Sequence, residues 1–308
     1  MSINNVKAFL PIDITDARLM SSTVTEPDAA EPAWSAATTY AEFAQVSVVT
    51  ANSHLVFESL QSGNLNHPPA TSPTWWILKS YTNKFRMFEW NNAKPSTGAS
   101  PLTVAIRPGM RINAVMLSGL SAATATITVQ DGPGGATVLS ISKDLLNRHA
   151  TTPYEYCFSP FVYDKVFATF DVPPIIDPVI TMTLTDPSGT CSIGRFAIGL
   201  STDIGEVEWN TVVEDENYSE ITYSGGFAKI TPAQNIPTLQ MEVDTPAARV
   251  NRVRLFKEQA NGKVAIWSAM PGVDSYNEMH VIIGAYQRFR FGTQNLKYTK
   301  IGLTIKGV

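Results

Sequence analysis

The chain has 308 residues, enough for two or three domains, and is 44 % hydrophobic with only 16 % charged residues. A net charge of -4 and a pI near 5.6 argue against nucleic acid or an anionic membrane surface as a partner. The apolar runs, such as Val179–Thr185, are far too short to span a bilayer, so no membrane insertion is expected.

The opening, MSINNVKAFLPIDITD, lacks a basic n-region and a sustained apolar run. It reads as the start of an N-terminal arm, residues 1–29, of a protein folded in a cytoplasm, not as a secretory signal. Residues 30–80 hold Trp34, Trp75 and Trp76, three of the six tryptophans. Together with Tyr40 these are expected to make the core of a small Trp-rich β module. A unit of about 50 residues is near the lower limit of independent stability, so it should lean on a neighbour.

Residues 81–202 change to short runs rich in Val, Ile, Thr and Phe, closed by Gly, Pro, Asn and Asp. LTVAIRPG, INAVMLSG, ATITVQDGPGG, VFATFDVPP, VITMTLTDPSG and SIGRFAIGL are the examples. This spacing predicts a central antiparallel β-sandwich, with Gly132, Gly134 and Gly135 supplying positive φ in one hairpin turn.

The stretch DIGEVEWNTVVEDENYSE, residues 203–220, carries seven carboxylates and neither Lys nor Arg. Its spacing fits no EF-hand loop, and it reads as a solvated acidic connector. Residues 221–308 are expected to form an α+β unit, one helix on an antiparallel sheet. The helix is PAARVNRVRLFKEQANG, with Pro246 in its first turn and Gly262 at its end. Val250, Val253, Phe256 and Ala260 form its apolar stripe, with Arg249, Arg252, Arg254 and Lys257 outside it. LQMEVDT, VAIWSAM, MHVIIGAYQRFRFG and YTKIGLTIKGV are the strands.

Catalysis needs a nucleophile with a base, a metal cluster or paired carboxylates in a pocket. The four histidines, His54, His67, His149 and His280, are scattered, and no GxSxG, HExxH, CxxC or Walker spacing occurs. The expectation is therefore no enzyme, no metal and no cofactor. Cys157 and Cys191 are expected to be two small buried hydrophobes. The C-terminal arginines, Arg288 and Arg290 among them, read as solvated or interface residues.

Trp34, Tyr40, Val46, Phe57 and Trp75-Trp76 follow in the order of the small chitin-binding-like modules of carbohydrate-binding family five and twelve. Residues 30–80 resemble that family, with two departures. Phe43-Ala44 stands where the family has Gly-Asp, and Phe57-Glu58-Ser59-Leu60-Gln61 stands where its sugar-stacking aromatics lie. The resemblance thus implies a lectin-like fold used for structure or docking, with glycan binding as the alternative.

Further segments resemble virion proteins of tailed bacteriophages. Tyr81-Thr82-Asn83-Lys84-Phe85-Arg86-Met87-Phe88-Glu89 echoes a Pro-Thr-Asn-Lys-Trp motif that follows such a module. Arg107-Pro108-Gly109 and the run from Ser192 to Gly199 are similar to parts of the jelly-roll domain that comes next. Ile266-Trp267 with Pro271-Gly272 resembles a strand end of distal tail proteins. The resemblance implies a central jelly roll and a structural component of the tail or baseplate, assembled in the host bacterial cytoplasm as a homo-oligomer beside other tail proteins. A host surface glycan is the alternative partner, with Trp90, Tyr154, Tyr156 and Trp209 as candidate contacts and Tyr223 as a further one.

Overall fold

Strand Thr124–Asp131 buries Ala125, Ile127 and Val129 and turns its threonines outward, the period-two pattern of a half-buried strand. In the computed structural model, which describes residues 5–90, 94–147, 150–160, 162–233, 235–271 and 279–308, the chain is mainly β. Thr124–Asp131 lies between Thr137–Asp144 and Pro178–Thr185, and the sheet continues through Leu102–Ile106 to Leu19–Ser22. Facing it, Ala114–Ser118 is flanked by Val166–Thr169 and by the first half of Arg195–Val207. Ile127, Ile180 and Met182 from one sheet meet Val115, Leu117, Phe196 and Ile198 from the other in a single core. Burying such side chains contributes roughly 1.5–3 kcal/mol each. Gly132 and Gly134 take φ of 81 and 72, as the turn requires; Gly135 is not among the positive-φ glycines.

Arg195–Val207 runs for 13 residues and does not stop at the sandwich. Its second half pairs with Asn5–Pro11 and, at Glu206 and Val207, with Asn235–Pro246. From Asn5–Pro11 the ladder passes through Ala265–Ser268, Val281–Thr293 and Tyr298–Gly307 back to Asn235–Pro246. The result is a closed six-stranded antiparallel barrel. Gly205 sits at the closure with φ 146, where a Cβ would run into the Asp244 carbonyl.

Three expectations change here. Residues 5–11, read as part of an arm, are a barrel strand with Val6 and Ala8 in the barrel core and Phe9 on the opposite face. The expected α+β unit is part of that closed barrel, which takes strands from both ends of the chain. The acidic stretch is largely strand, over Asp203–Val207 and Val212–Asn217. Its carboxylates meet cations far along the sequence: Asp203 with Arg249 at 2.8 Å, Glu208 with Lys300 at 2.9 Å and Glu216 with Lys306 at 2.6 Å.

The helix forms over Ala247–Gln259 between Pro246 and Gly262, whose φ is 68. Val253, Phe256 and Ala260 enter the barrel core, Val250 is only half-buried and Leu255 is exposed. Phe256 meets the fully buried Trp267 edge-on at 5.7 Å, and the Trp267 indole N–H donates to the Gly284 carbonyl at 3.0 Å. Tryptophan fits a core only when its N–H finds such an acceptor.

The Trp module is a three-stranded sheet of Gln45–Thr50, Ser53–Ser59 and Trp76–Tyr81. Tyr40, Val46, Phe57 and Trp76 form its core, with Trp34 and Trp75 half-buried against them. Tyr40 packs edge-on to Trp76 at 5.3 Å, and His67 stacks on Trp75 at 4.1 Å. Phe43 adopts φ 66, an aromatic residue in left-handed backbone. Of the two cysteines, both free, Cys191 is buried, but Cys157 is exposed on a six-residue helix, Pro153–Phe158, that buries nothing.

Candidate functional site

Residues 82–88 fasten the Trp module to the sandwich. They end in a 3-10 turn, Arg86–Phe88, that buries Arg86 and Met87. Three acids from residues 26–31 meet this segment. Glu26 accepts from the Thr82 hydroxyl and lies 3.0 Å from His54 Nδ1. Asp28 accepts from Asn83 Nδ2 at 3.0 Å, and Asn83 also bridges to Thr97 through both its amide atoms. Glu31 pairs with the Arg86 guanidinium, with both residues almost wholly removed from water. Burial pulls the Arg86 pKa down, while the Asp28 charge acts the other way. His54 completes the joint by stacking on Phe85 at 3.5 Å, with Nε2 3.0 Å from Asp16.

Beside the joint is a cavity of about 160 Å³, lined in part by Asp13, Tyr81, Glu89 and Trp90. Burial raises the Glu89 carboxyl pKa, a hydrogen bond from Tyr81 lowers it, the Asp13 charge raises it and Arg195 lowers it. Tyr81 is raised in turn, first by burial and then by Glu89. This places a carboxyl of raised pKa beside a second acid, but ordinary ligand pockets begin at about 300 Å³. The cavity is too small for an oligosaccharide.

The four candidate glycan contacts come from three separate elements. Trp90 is half-buried against the cluster around Phe9 and Met116, and its carbonyl accepts from Arg195 at 3.0 Å. Tyr154 and Tyr156 are exposed on the helix Pro153–Phe158, where Tyr154 meets Phe158 at 4.8 Å. Trp209 is 80 % exposed in the turn that follows Arg195–Val207. His149 and Gly272 lie outside the described residues. Among the described residues, no group of three or more His, Cys, Asp or Glu is placed to hold a metal ion.

A feature that the sequence reading missed lies at residues 220–231. Glu220–Ser224 and Phe227–Thr231 form a hairpin joined by Gly225 and Gly226, whose φ values of 59 and 85 suit a two-residue primed turn. Ile221 pairs with Ile230 and Tyr223 with Ala228, which puts all four on one face. That face is exposed: Tyr223 is 79 % accessible, and Phe227, on the other face, is 80 % accessible. The hairpin pairs with no other strand among the described residues. Only its base is held, where Lys306 Nζ lies 2.9 Å from the Tyr218 hydroxyl and 5.6 Å from its ring centroid. A lone hairpin is marginal in water at best, and an apolar sheet face needs a second layer. The signal was present in ITYSGGFAKI, two period-two runs around Gly-Gly.

Compared with protein-family models and with curated proteins, the chain shows no match.

Proposed function

We propose that the chain is a structural component of a bacteriophage tail or baseplate, working through homo-oligomeric assembly and contacts with other virion proteins. The observation that supports this best is the hairpin at residues 220–231, which presents Ile221, Tyr223, Phe227 and Ile230 to solvent with no layer from the described residues against them. Burial of that surface between subunits offsets the entropy lost on association. On this reading the central sandwich, residues 81–202, is a jelly roll, and the Trp module is a lectin-like fold kept for docking. The order of the resembling segments along the chain agrees with it.

A second reading, attachment to a host surface glycan, is favoured by the exposure of Tyr154, Tyr156 and Trp209. Aromatic faces of this kind stack on sugar rings.

Immunogold electron microscopy of purified particles, with antibody raised against residues 30–80, tests the assignment. Label at the tail tip is the expected result, and label on peripheral fibres would move the weight to the glycan reading. Particles that mass spectrometry shows to lack the chain would end the virion assignment.

A further inference from the structure

The outer face of the barrel carries a groove of about 500 Å³ across the strands Asn235–Pro246, Tyr298–Gly307 and Val281–Thr293. The register builds it. Gln240, Thr304 and Arg288 stand in one row across the three strands, and Glu242, Gly302 and Arg290 in the next. Gly302 has no side chain, so the centre of the second row is a gap between Glu242 and Arg290. Asn210, in the turn that also carries the exposed Trp209, lines the groove, and so does Gln294.

The charges are unevenly matched. Lys300 is committed to two carboxylates, Glu208 at 2.9 Å and Glu242 at 2.7 Å, which hold its pKa well above the ordinary lysine value. Arg288 and Arg290 are exposed and make no ion pair within 4 Å among the described residues, although the Arg290 charge acts across the gap on Glu242. They are two residues apart on one strand face, so their Cα atoms are about 6.6 Å apart. The groove lining thus holds three cations and one carboxylate, Glu242, with Glu208 beside it on Lys300, on a chain whose net charge is -4. Guanidinium forks match carboxylate and phosphate oxygens in pairs. The neutral lining of amides and hydroxyls, Gln240, Asn210, Gln294 and Thr304, suits a hydroxyl-rich chain.

We infer that this groove binds an acidic saccharide strand, its anion paired by Arg288 and Arg290 and its hydroxyls by the surrounding amides. The anion is a uronic-type carboxylate or a phosphate of a polyol-phosphate chain; both present paired oxygens to a guanidinium. The inference gives the glycan reading a site away from Trp90, Tyr154 and Tyr156. It stands whether or not the chain belongs to a virion.

Titration calorimetry on the full chain tests it, with a polygalacturonate tetramer, a glycerol-phosphate tetramer, neutral maltotetraose and a thymidylate tetramer as probes. At least one of the two acidic polyol probes should bind, and the tighter of them identifies the source of the anion. Maltotetraose should bind at least tenfold more weakly. Arg290→Gln and Arg288→Gln should each weaken binding about tenfold, the loss of one charge-assisted pair. Gly302→Leu should abolish binding with every charge retained. A Cβ at Gly302 would meet only the Arg290 Cβ, at 3.9 Å, so this variant should melt with the wild-type protein. Unaffected binding in Gly302→Leu, equal binding of the thymidylate, or no binding of either acidic saccharide probe would each overturn the inference.

Discussion

The Trp module and the hairpin at residues 220–231 are both small β units that cannot stand alone, and the chain treats them in opposite ways. The module is tied to the sandwich by buried polar groups: Glu31 with Arg86, Asp28 with Asn83, and Glu26 with Thr82 and His54. Its apolar core is closed by its own tryptophans. The hairpin is attached through Tyr218 and Lys306 at its base and leaves its apolar side chains in water. Charge buried inside a chain fixes geometry, because each group must find its partner. Apolar surface left outside marks a place where geometry is completed by something else. The module is therefore a fixed part of the body, and on the proposed function the hairpin is the part that meets a partner.

Breaking the joint should have the largest effect. Arg86→Ala leaves Glu31 buried with no countercharge, and its second oxygen already has no hydrogen-bond partner. Urea unfolding should show a loss of about 3–5 kcal/mol, most of it recovered in the Arg86→Met, Glu31→Met double variant. A single variant as stable as wild type would mean the pair does not hold the module. A smaller gain is expected inside the module. Phe43 is exposed and left-handed, so Phe43→Gly should stabilise by about 0.5–1 kcal/mol, the left-handed penalty less the extra entropy of glycine. No gain in thermal melting would show that the turn holds the aromatic without strain. The smallest stability effect belongs to the hairpin. Tyr223→Ser with Phe227→Ser should change unfolding by no more than about 0.5 kcal/mol, yet remove the self-association that the proposed function expects sedimentation velocity to show for the wild-type chain. Association that survives the double change would place the contact elsewhere.

The strands were legible wherever period two and a turn signal coincide. LTVAI, ATITVQD and VITMTLT each carry their burial pattern and their stop within about ten residues. The helix was legible from Pro246 and Gly262 for the same reason. The barrel was not, because its closure depends on pairings such as Val6 with Gly205 and Phe9 with Ile266, which no local window contains. The acidic stretch misled for a related reason: Lys300 and Lys306, which meet its carboxylates, lie about ninety residues away in sequence. The joint was half legible. Residues 81–89 stood out by resemblance, but their role depends on Glu26, Asp28 and Glu31, which carry no motif. Arg288 and Arg290 were read as surface residues, and only the register that sets Gly302 beside Arg290 turns that surface into a groove.

The use of Asn5–Pro11 as a barrel strand sets a schedule for the newborn chain. That segment leaves the ribosome well before one of its two neighbours, Ala265–Ser268, which lies some two hundred and fifty residues further along the chain. At roughly 5–20 residues per second, the interval is on the order of ten seconds or more. Through that time the sandwich can form while the first strand waits unpaired on one side. A message cut short before the last strands yields a chain with an open sheet edge, which is the kind of surface that quality control recognises. Only a chain that reaches Tyr298–Gly307 can close the ring.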